Sequence, residues 1–362
     1  MDIKKIAEGF GISTEDLSFD ECTIGHINST FFVKTGASAE VEYVFQKINT
    51  SIFKNPDELM SNVFKVTEHI SKKLKEENDT LSTTLFFLKT KNGEPGLDDG
   101  EGGYWRVYRY VRNAHSLNGA DSPEVFEKSG YAFGNFQRLL ADFDASVLYE
   151  TIPNFHNTVS RLNDFKTALD KNLANRRDSI TEDIAFVLDR ADKCSYVTDG
   201  IADGRFPLRV THNDTKLNNL LWDNETEKCI CVIDLDTVMP GSVLYDFGDS
   251  IRFGASSAAE DETDLSKVYV CLDKYEAYVK GFISGTNGAL TSEELLAFPM
   301  GAYVITFETG IRFLTDYLNG DTYFRTHYPS HNLDRARNQF KLVKSLEEKM
   351  DELNAIMKKY VK

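Results

Sequence analysis

The run from Pro207 to Asp236 most constrains the fold: a polar loop lies between two short apolar segments, and a third apolar segment ends on a carboxylate. Pro207-Leu208-Arg209-Val210-Thr211 leads into His212-Asn213-Asp214-Thr215-Lys216-Leu217-Asn218-Asn219, and Leu220-Leu221-Trp222 leads out. Asp223-Asn224-Glu225-Thr226 reads as a turn, because Asn and Asp side chains bond nearby backbone and tolerate left-handed conformations. Cys229-Ile230-Cys231-Val232-Ile233 is apolar, rich in β-branched residues and short enough for a buried strand. It exits into Asp234-Leu235-Asp236. The chain must therefore form a loop, then a hairpin, then a carboxylate aimed by a rigid strand.

That arrangement suits phosphoryl transfer to a hydroxyl. Such chemistry needs a carboxylate to accept the hydroxyl proton, a cation for the moving phosphoryl group and oxygen ligands for Mg²⁺. The spacing H-x-D-x-K-x-x-N is met without a gap by His212, Asp214, Lys216 and Asn219. A single Asp in a polar stretch is ordinarily a turn or cap residue; four positions in register argue for catalysis. Asp214 is the candidate base and Lys216 the candidate phosphate cation. Asn219 and Asp234 are candidate Mg²⁺ ligands, with Asp236 available for a second metal ion. His212 is expected to orient the loop backbone. Asp246-Phe247-Gly248 spells a kinase metal motif, but it lies a dozen residues beyond the strand, after Pro240-Gly241. Asp246 is expected to brace the loop or cap the next helix.

Upstream, Thr23 to Lys34 and Val41 to Lys47 read as strands. Asn55 to Glu77 reads as a helix, with Pro56 in its first turn and Leu59, Val63, Val66 and Ile70 at helical spacing. Leu81 to Leu88 and Tyr104 to Val111 read as two more strands around a polar, Gly-rich turn. Composition turns helical after about Ser122. At 362 residues the chain exceeds the size at which one core usually keeps growing, so two lobes are expected, with the boundary at 112/113.

The net charge of −16 disfavours nucleic acid as a partner. No stretch approaches the roughly 20 apolar residues of a membrane span. The N-terminus reads as an amphipathic helix rather than a signal peptide. Five scattered cysteines then suggest reduced thiols and a cytoplasmic protein. Cys229 and Cys231 share a strand face without the partners a zinc site needs, so core packing is their expected role.

Several segments resemble the aminoglycoside phosphotransferase and choline kinase superfamily. They are Gly25-His26-Ile27-Asn28, Asn49-Thr50-Ser51-Ile52-Phe53, Thr211 to Asn219, Asp234-Leu235-Asp236-Thr237, Tyr245 to Gly254 and Gly310-Ile311-Arg312-Phe313-Leu314. The resemblance spans about residues 20 to 345. It implies an α+β, bilobal protein-kinase-like fold, with a small β-rich lobe (1–112) covering the nucleotide and a larger, mainly helical lobe (113–362). It implies ATP as co-substrate with Mg²⁺, and adenine recognition by backbone near Tyr110, Val111 and Arg112. The Gly-His-Ile-Asn and Gly-Ile-Arg-Phe-Leu segments point to the branch that phosphorylates the anomeric hydroxyl of N-acetylhexosamines. A monomer or weak dimer is expected.

The chain departs from the general kinase pattern in lacking a G-x-G-x-x-G loop. The phosphate-binding position of the third strand falls on Gln46 or Lys47. Strand alternation points the two to opposite faces, and the sequence leaves the choice open. For the acceptor, His26, Asn28, Arg312 and Tyr317 are the candidates, since imidazole and amide both donate and accept. Asp316 stands four residues after Arg312, a spacing that also suits an ordinary helical ion pair. A kinase for a cationic acceptor and a catalytically silent nucleotide-binding protein are the alternatives.

Overall fold

The computed structural model describes residues 2–22, 27–36, 40–120 and 122–361. Contacts divide the chain into two compact units that interleave in sequence. The first comprises Met1–Ser116, Asp142–Pro153 and Leu220–Pro240; the second comprises Leu117–Ala141, Asn154–Asn219 and Gly241–Lys362. The hairpin read from the sequence as part of the helical lobe thus groups with the first unit. In chain order the strands are β1 (Ser18–Cys22), β2 (Ser29–Lys34), β3 (Tyr43–Ile48), β4 (Leu97–Asp98), β5 (Tyr104–Arg109), β6 (Ala114–Ser116), β7 (Arg209–Thr211), β8 (Leu220–Asp223), β9 (Cys229–Val232) and β10 (Met239–Gly241).

In the first unit an antiparallel sheet runs β1-β2-β3-β5-β4. Alternation gives it two distinct faces. Phe31, Val33, Phe45, Trp105 and Val107 form one buried face, covered by Ile3, Ile6, Ala7 and Phe10 of the N-terminal segment. The helix Ile3–Gly9 starts at Asp2, whose side chain accepts the backbone N–H groups of Lys4 and Lys5. Thr30, Gln46 and Arg106 align across β2, β3 and β5 and carry the other face. The helix Pro56–Glu76 follows the predicted period, burying Leu59, Val63, Val66 and Ile70. Asp57 and Glu58 in its first turn and Lys73 and Lys75 in its last complement the helix dipole. A second sheet, β6-β8-β9, contains the predicted hairpin, with a register shift between Leu221 and Trp222.

One predicted strand is absent. Residues 81 to 88 are extended but meet β5 only locally, through a bridge between Phe87 and Tyr108. Leu88 N–H donates to the Val107 carbonyl and Arg109 N–H to that of Phe86, while Thr83 N–H turns to Ile230. The same edge of β5 is paired at Tyr104 and Trp105 by β4. With the edge shared between two segments, neither builds a long ladder.

The second unit is mainly helical. Its helices Pro123–Leu139 and Leu272–Thr286 meet along a reciprocal glycine seam. A Cβ built on Gly130 would sit 2.6 Å from the Tyr278 carbonyl oxygen, and one on Gly134 would strike that of Phe282. In return, Gly281 and Gly285 lie against the Glu127 and Tyr131 carbonyls. The spacing of four in both helices puts each pair on one face, so backbone meets backbone. Phe298–Asn319 is buried on almost every side. Among the described residues, no helix is long and apolar enough to cross a membrane. A small antiparallel sheet in one unit and a larger helical unit fulfil the α+β expectation.

Candidate active site

In the second unit, β7 delivers the chain to the His212–Asn219 loop, and the helix Val243–Gly254 holds it there. Asp246 accepts the backbone N–H groups of His212 at 2.9 Å and Asn213 at 2.8 Å. Gln137 Nε2 donates to the same carboxylate at 2.9 Å and to the Val210 carbonyl at 3.0 Å. One turn on, Asp249 accepts Thr215 N–H at 3.1 Å, and Ser250 Oγ donates to the Thr215 carbonyl at 3.0 Å. Residues 246, 249 and 250 share one helix face, which is why three successive contacts reach one loop. Burial pushes the Asp246 carboxyl above the usual range, while His212, Asn213 and Gln137 pull it back. Asp246 therefore braces the loop; the helix itself is capped by Ser242.

His212 is fully buried, its ring edge-on to Phe133 and Phe136 at 5.8 and 5.9 Å. Its Nδ1 accepts Asp214 N–H at 3.3 Å, the orienting contact expected of it. Asn213 has a left-handed φ of 65°. Asp214 Oδ1 pairs with Lys216 Nζ at 2.9 Å. Asn219 Nδ2 donates to the Asp214 carbonyl at 2.8 Å and to its Oδ2 at 3.1 Å. With its amide nitrogen so used, Asn219 is left with an oxygen that carries no hydrogen bond among the described residues. The Asp214 and Lys216 side chains are 28% and 37% exposed, open enough to meet a substrate. Burial opposes the Lys216 charge, but Asp214 and Asp249 more than offset it, so its ammonium sits above the ordinary lysine value.

In the first unit a polar row crosses the sheet. Arg106 Nε donates to Gln46 Oε1 at 2.9 Å, and Gln46 Nε2 donates to Thr30 Oγ1 at 3.0 Å. Arg106 also forms an ion pair with Asp236, the side chains being only 4% and 5% exposed. Asn28 Nδ2 donates to the other Asp236 oxygen at 2.6 Å, and Asn28 Oδ1 accepts Asn49 N–H at 3.0 Å. Burial opposes the Arg106 charge, and Asp236 and then Asp234 raise its affinity for the proton. Asp234 has a left-handed φ of 58° and opens the turn Leu235–Thr237. Lys47 lies on the opposite face, 4.0 Å from Asp99. Gln46 therefore shares a face with Asp236, and Lys47 shares the N-terminal helix's side with Trp105. Asp236, expected as a second metal ligand, gives its oxygens to Arg106 and Asn28.

The acceptor candidates fall in different surroundings. Arg312 lies over the rings of Phe155 and Phe324 at 5.5 and 5.6 Å, with no ion pair or hydrogen bond among the described residues. The helical ion pair to Asp316 does not form. Asp316 instead accepts the N–H groups of Thr322, Tyr323 and Phe324 and Asn332 Nδ2, each at 2.9 Å. Those donors fix the turn after the helix and use up the carboxylate. Arg161 joins the cluster, donating to the Phe155 carbonyl at 2.9 Å. Burial, then the charge of Arg312, lowers its affinity for the proton. Tyr317 is faced by the Arg176 guanidinium, 4.3 Å from the ring. His26 lies outside the described residues.

At the predicted adenine segment, Tyr110 N–H donates to Glu42 at 2.9 Å and its ring meets Phe32 at 5.8 Å. Val111 is half-buried, and exposed Arg112 pairs with Glu40 at 3.1 Å. Sequence reasoning missed Arg106, Arg161, His156 and Glu308. Strand alternation through Tyr104 to Arg109 could have singled out Arg106; nothing local marks the other three.

A model of the phosphotransferase enzyme family, the group that includes aminoglycoside phosphotransferases, matches residues 19–269. The chain belongs to the phosphotransferase enzyme family. Solved structures agree on the fold along nearly the whole length. A microcompartment-associated aminopropanol kinase is 13% identical, with 98% of this chain and 99% of that one covered and a TM-score of 0.57. An aminoglycoside phosphotransferase from Alicyclobacillus acidocaldarius is 14% identical, with coverage of 100% and 96% and a TM-score of 0.56. A choline kinase from Cryptosporidium parvum is 14% identical, with coverage of 95% and 93% and a TM-score of 0.56. Membership in the phosphotransferase family, with this fold, makes the chain a small-molecule kinase acting on a hydroxyl.

Proposed function

We propose that this kinase phosphorylates the C1 hydroxyl of N-acetylhexosamines, N-acetylglucosamine or N-acetylgalactosamine, releasing the sugar 1-phosphate and ADP. The observation that carries the reading is the Arg312 guanidinium, held between Phe155 and Phe324 with Arg161 beside it and no carboxylate paired to it among the described residues. Arg161 also pairs with Asp164 at 3.8 Å, which leaves Arg312 as the group that most disfavours a cationic acceptor; guanidinium groups suit hydroxyl and acetamido oxygens, which only need donors. A choline-type acceptor calls for an aromatic or acidic cage, and Arg312 opposes it.

In this reading Asp214 accepts the hydrogen bond of the sugar hydroxyl, aims its oxygen and takes the proton late. Lys216, kept cationic by Asp214 and Asp249, faces the transferring phosphoryl group. Gln46 and the buried Arg106 carry the polar face of the nucleotide-covering sheet. Backbone near Tyr110, Val111 and Arg112 meets adenine, and Asn28 and Tyr317 shape the acceptor's surroundings. Hard oxygen donors fit Mg²⁺, and Asn219 and Asp234 would hold it. When bound, the ion neutralises phosphate charge. Asp236, which pairs with Arg106, stays the candidate ligand for a second ion.

The test is an acceptor panel with ATP and Mg²⁺, following ADP release and the product by phosphorus NMR. N-acetylglucosamine or N-acetylgalactosamine should react, and their 1-O-methyl glycosides should not. A reactive methyl glycoside moves the site off C1; turnover of choline or an aminoglycoside instead of the sugars removes the reading.

A further inference from the structure

His156 lies beneath the loop with a hydrogen-bond acceptor at each ring nitrogen. Its Nδ1 is 2.8 Å from Glu308 Oε1, and its Nε2 is 3.3 Å from the Asn213 carbonyl oxygen. A backbone carbonyl can only accept, and so can a carboxylate. A neutral imidazole donates from one nitrogen alone, which would leave a lone pair facing an oxygen on the other side. We infer that His156 is a doubly protonated positioning residue, whose two N–H groups tie the Asn213 carbonyl, one peptide before Asp214, to the buried Glu308 carboxylate.

The surroundings agree with this assignment. Glu308 is buried, and its second oxygen accepts Thr158 Oγ1 at 2.6 Å. Burial works against its charge, yet His156, Arg312 and Thr158 hold its carboxyl below the usual range. From the helix Val243–Gly254, Asp249 adds a second carboxylate acting on His156, and Tyr245 covers the ring at 5.1 Å. Arg312 on the helix of Glu308 and Arg161 on the helix Thr158–Lys171 are the opposing charges. The loop contributes Asp214 and Lys216, which pair with each other. Phe155 closes a further side at 4.6 Å.

The device has a purpose in the geometry. Asn213 is left-handed, a conformation uncommon outside glycine, and its N–H is fixed by Asp246 at 2.8 Å. With His156 on its carbonyl, Asn213, the residue leading into Asp214, is gripped at both its backbone N–H and its carbonyl.

Nitrogen-15 NMR of the histidine rings tests this directly. The chain has seven histidines, and the His156 signal is the one lost in His156→Gln and altered in Glu308→Gln. Both ring nitrogens should be protonated in the unaltered protein, and Glu308→Gln should leave only one protonated. A ring with a single protonated nitrogen in the unaltered protein overturns the inference. Resting on the proposed reaction, a second measurement follows: His156→Gln should lower kcat by about 10²-fold through misplacement of Asp214, with KM for ATP unchanged. Equal kcat removes the positioning role. Because the ring signals require no turnover, they report even on a protein inactive with every sugar, and a wrong acceptor is told apart from a wrong protonation state.

Discussion

In the proposed reaction Asp214 is the residue on which chemistry concentrates, and its neighbours show why substitution there should be clean. Its backbone is held by His212 and Asn219, so changing the carboxylate to an amide keeps the loop's hydrogen-bond frame. Asp214→Asn should therefore retain nucleotide affinity while kcat falls by roughly 10²–10⁴-fold, the usual range for lost general-base assistance. Single-turnover assays beside ATP titration separate the two effects, and an active variant would take Asp214 out of its role. Spacing exposed this residue because the loop is local: Asp214, Lys216 and Asn219 touch within six residues of chain. Arg106 stayed hidden for the opposite reason. Its partners Gln46 and Asp236 are 60 and 130 residues away, joined to it only by strand register and tertiary folding. His156 and Glu308 meet across 152 residues, with no motif at either end.

At the scale of elements, the helix pair Pro123–Leu139 and Leu272–Thr286 governs the loop's support. The first carries Gln137, Phe133 and Phe136, which hold Asp246 and His212. The second carries Tyr278, whose hydroxyl donates to Ser250 Oγ at 2.6 Å. Gly281→Ala would drive a methyl group into the Glu127 carbonyl, a backbone atom that cannot rotate away. It should cost about 1–3 kcal/mol, the usual range for overpacking. Urea unfolding checks the figure; an unchanged midpoint would show that the helices separate freely. The helix Pro56–Glu76 and the β8–β9 hairpin were legible because periodicity and turn residues act over a few positions. The segment 81–88 was misread because its apolar composition suits a strand, while the number of free neighbours on β5 is a property of the whole sheet.

For the whole molecule, acid should be the vulnerable side. Burial disfavours the Asp249 carboxylate, and Arg252, Lys216 and His156 more than offset it; Glu308 is held low in the same manner. A depressed folded-state value stabilises the fold above the ordinary carboxylate range, and that contribution is lost as pH falls through the folded-state value. Asp246 acts in the opposite sense, because its raised value makes protonation relieve burial. Among the buried carboxylates, two depressed against one raised predict a net loss of Tm on acidification. Glu308→Gln should flatten the Tm profile at its acidic end, and a profile parallel to that of the unaltered protein would show that Glu308 takes no part. The two-part α+β plan was readable from composition and patterning. The interleaving of the units was not, since nothing at residues 142 or 220 marks the chain's passage from one to the other.

The glycine seam also bears on any attempt to make a hardier catalyst. Replacing helical glycines with alanine is a standard route to a stiffer unfolded chain and a higher melting point. In this protein the four positions that invite it most plainly are where the strategy fails, and useful gains must be sought on solvent-facing turns of other helices.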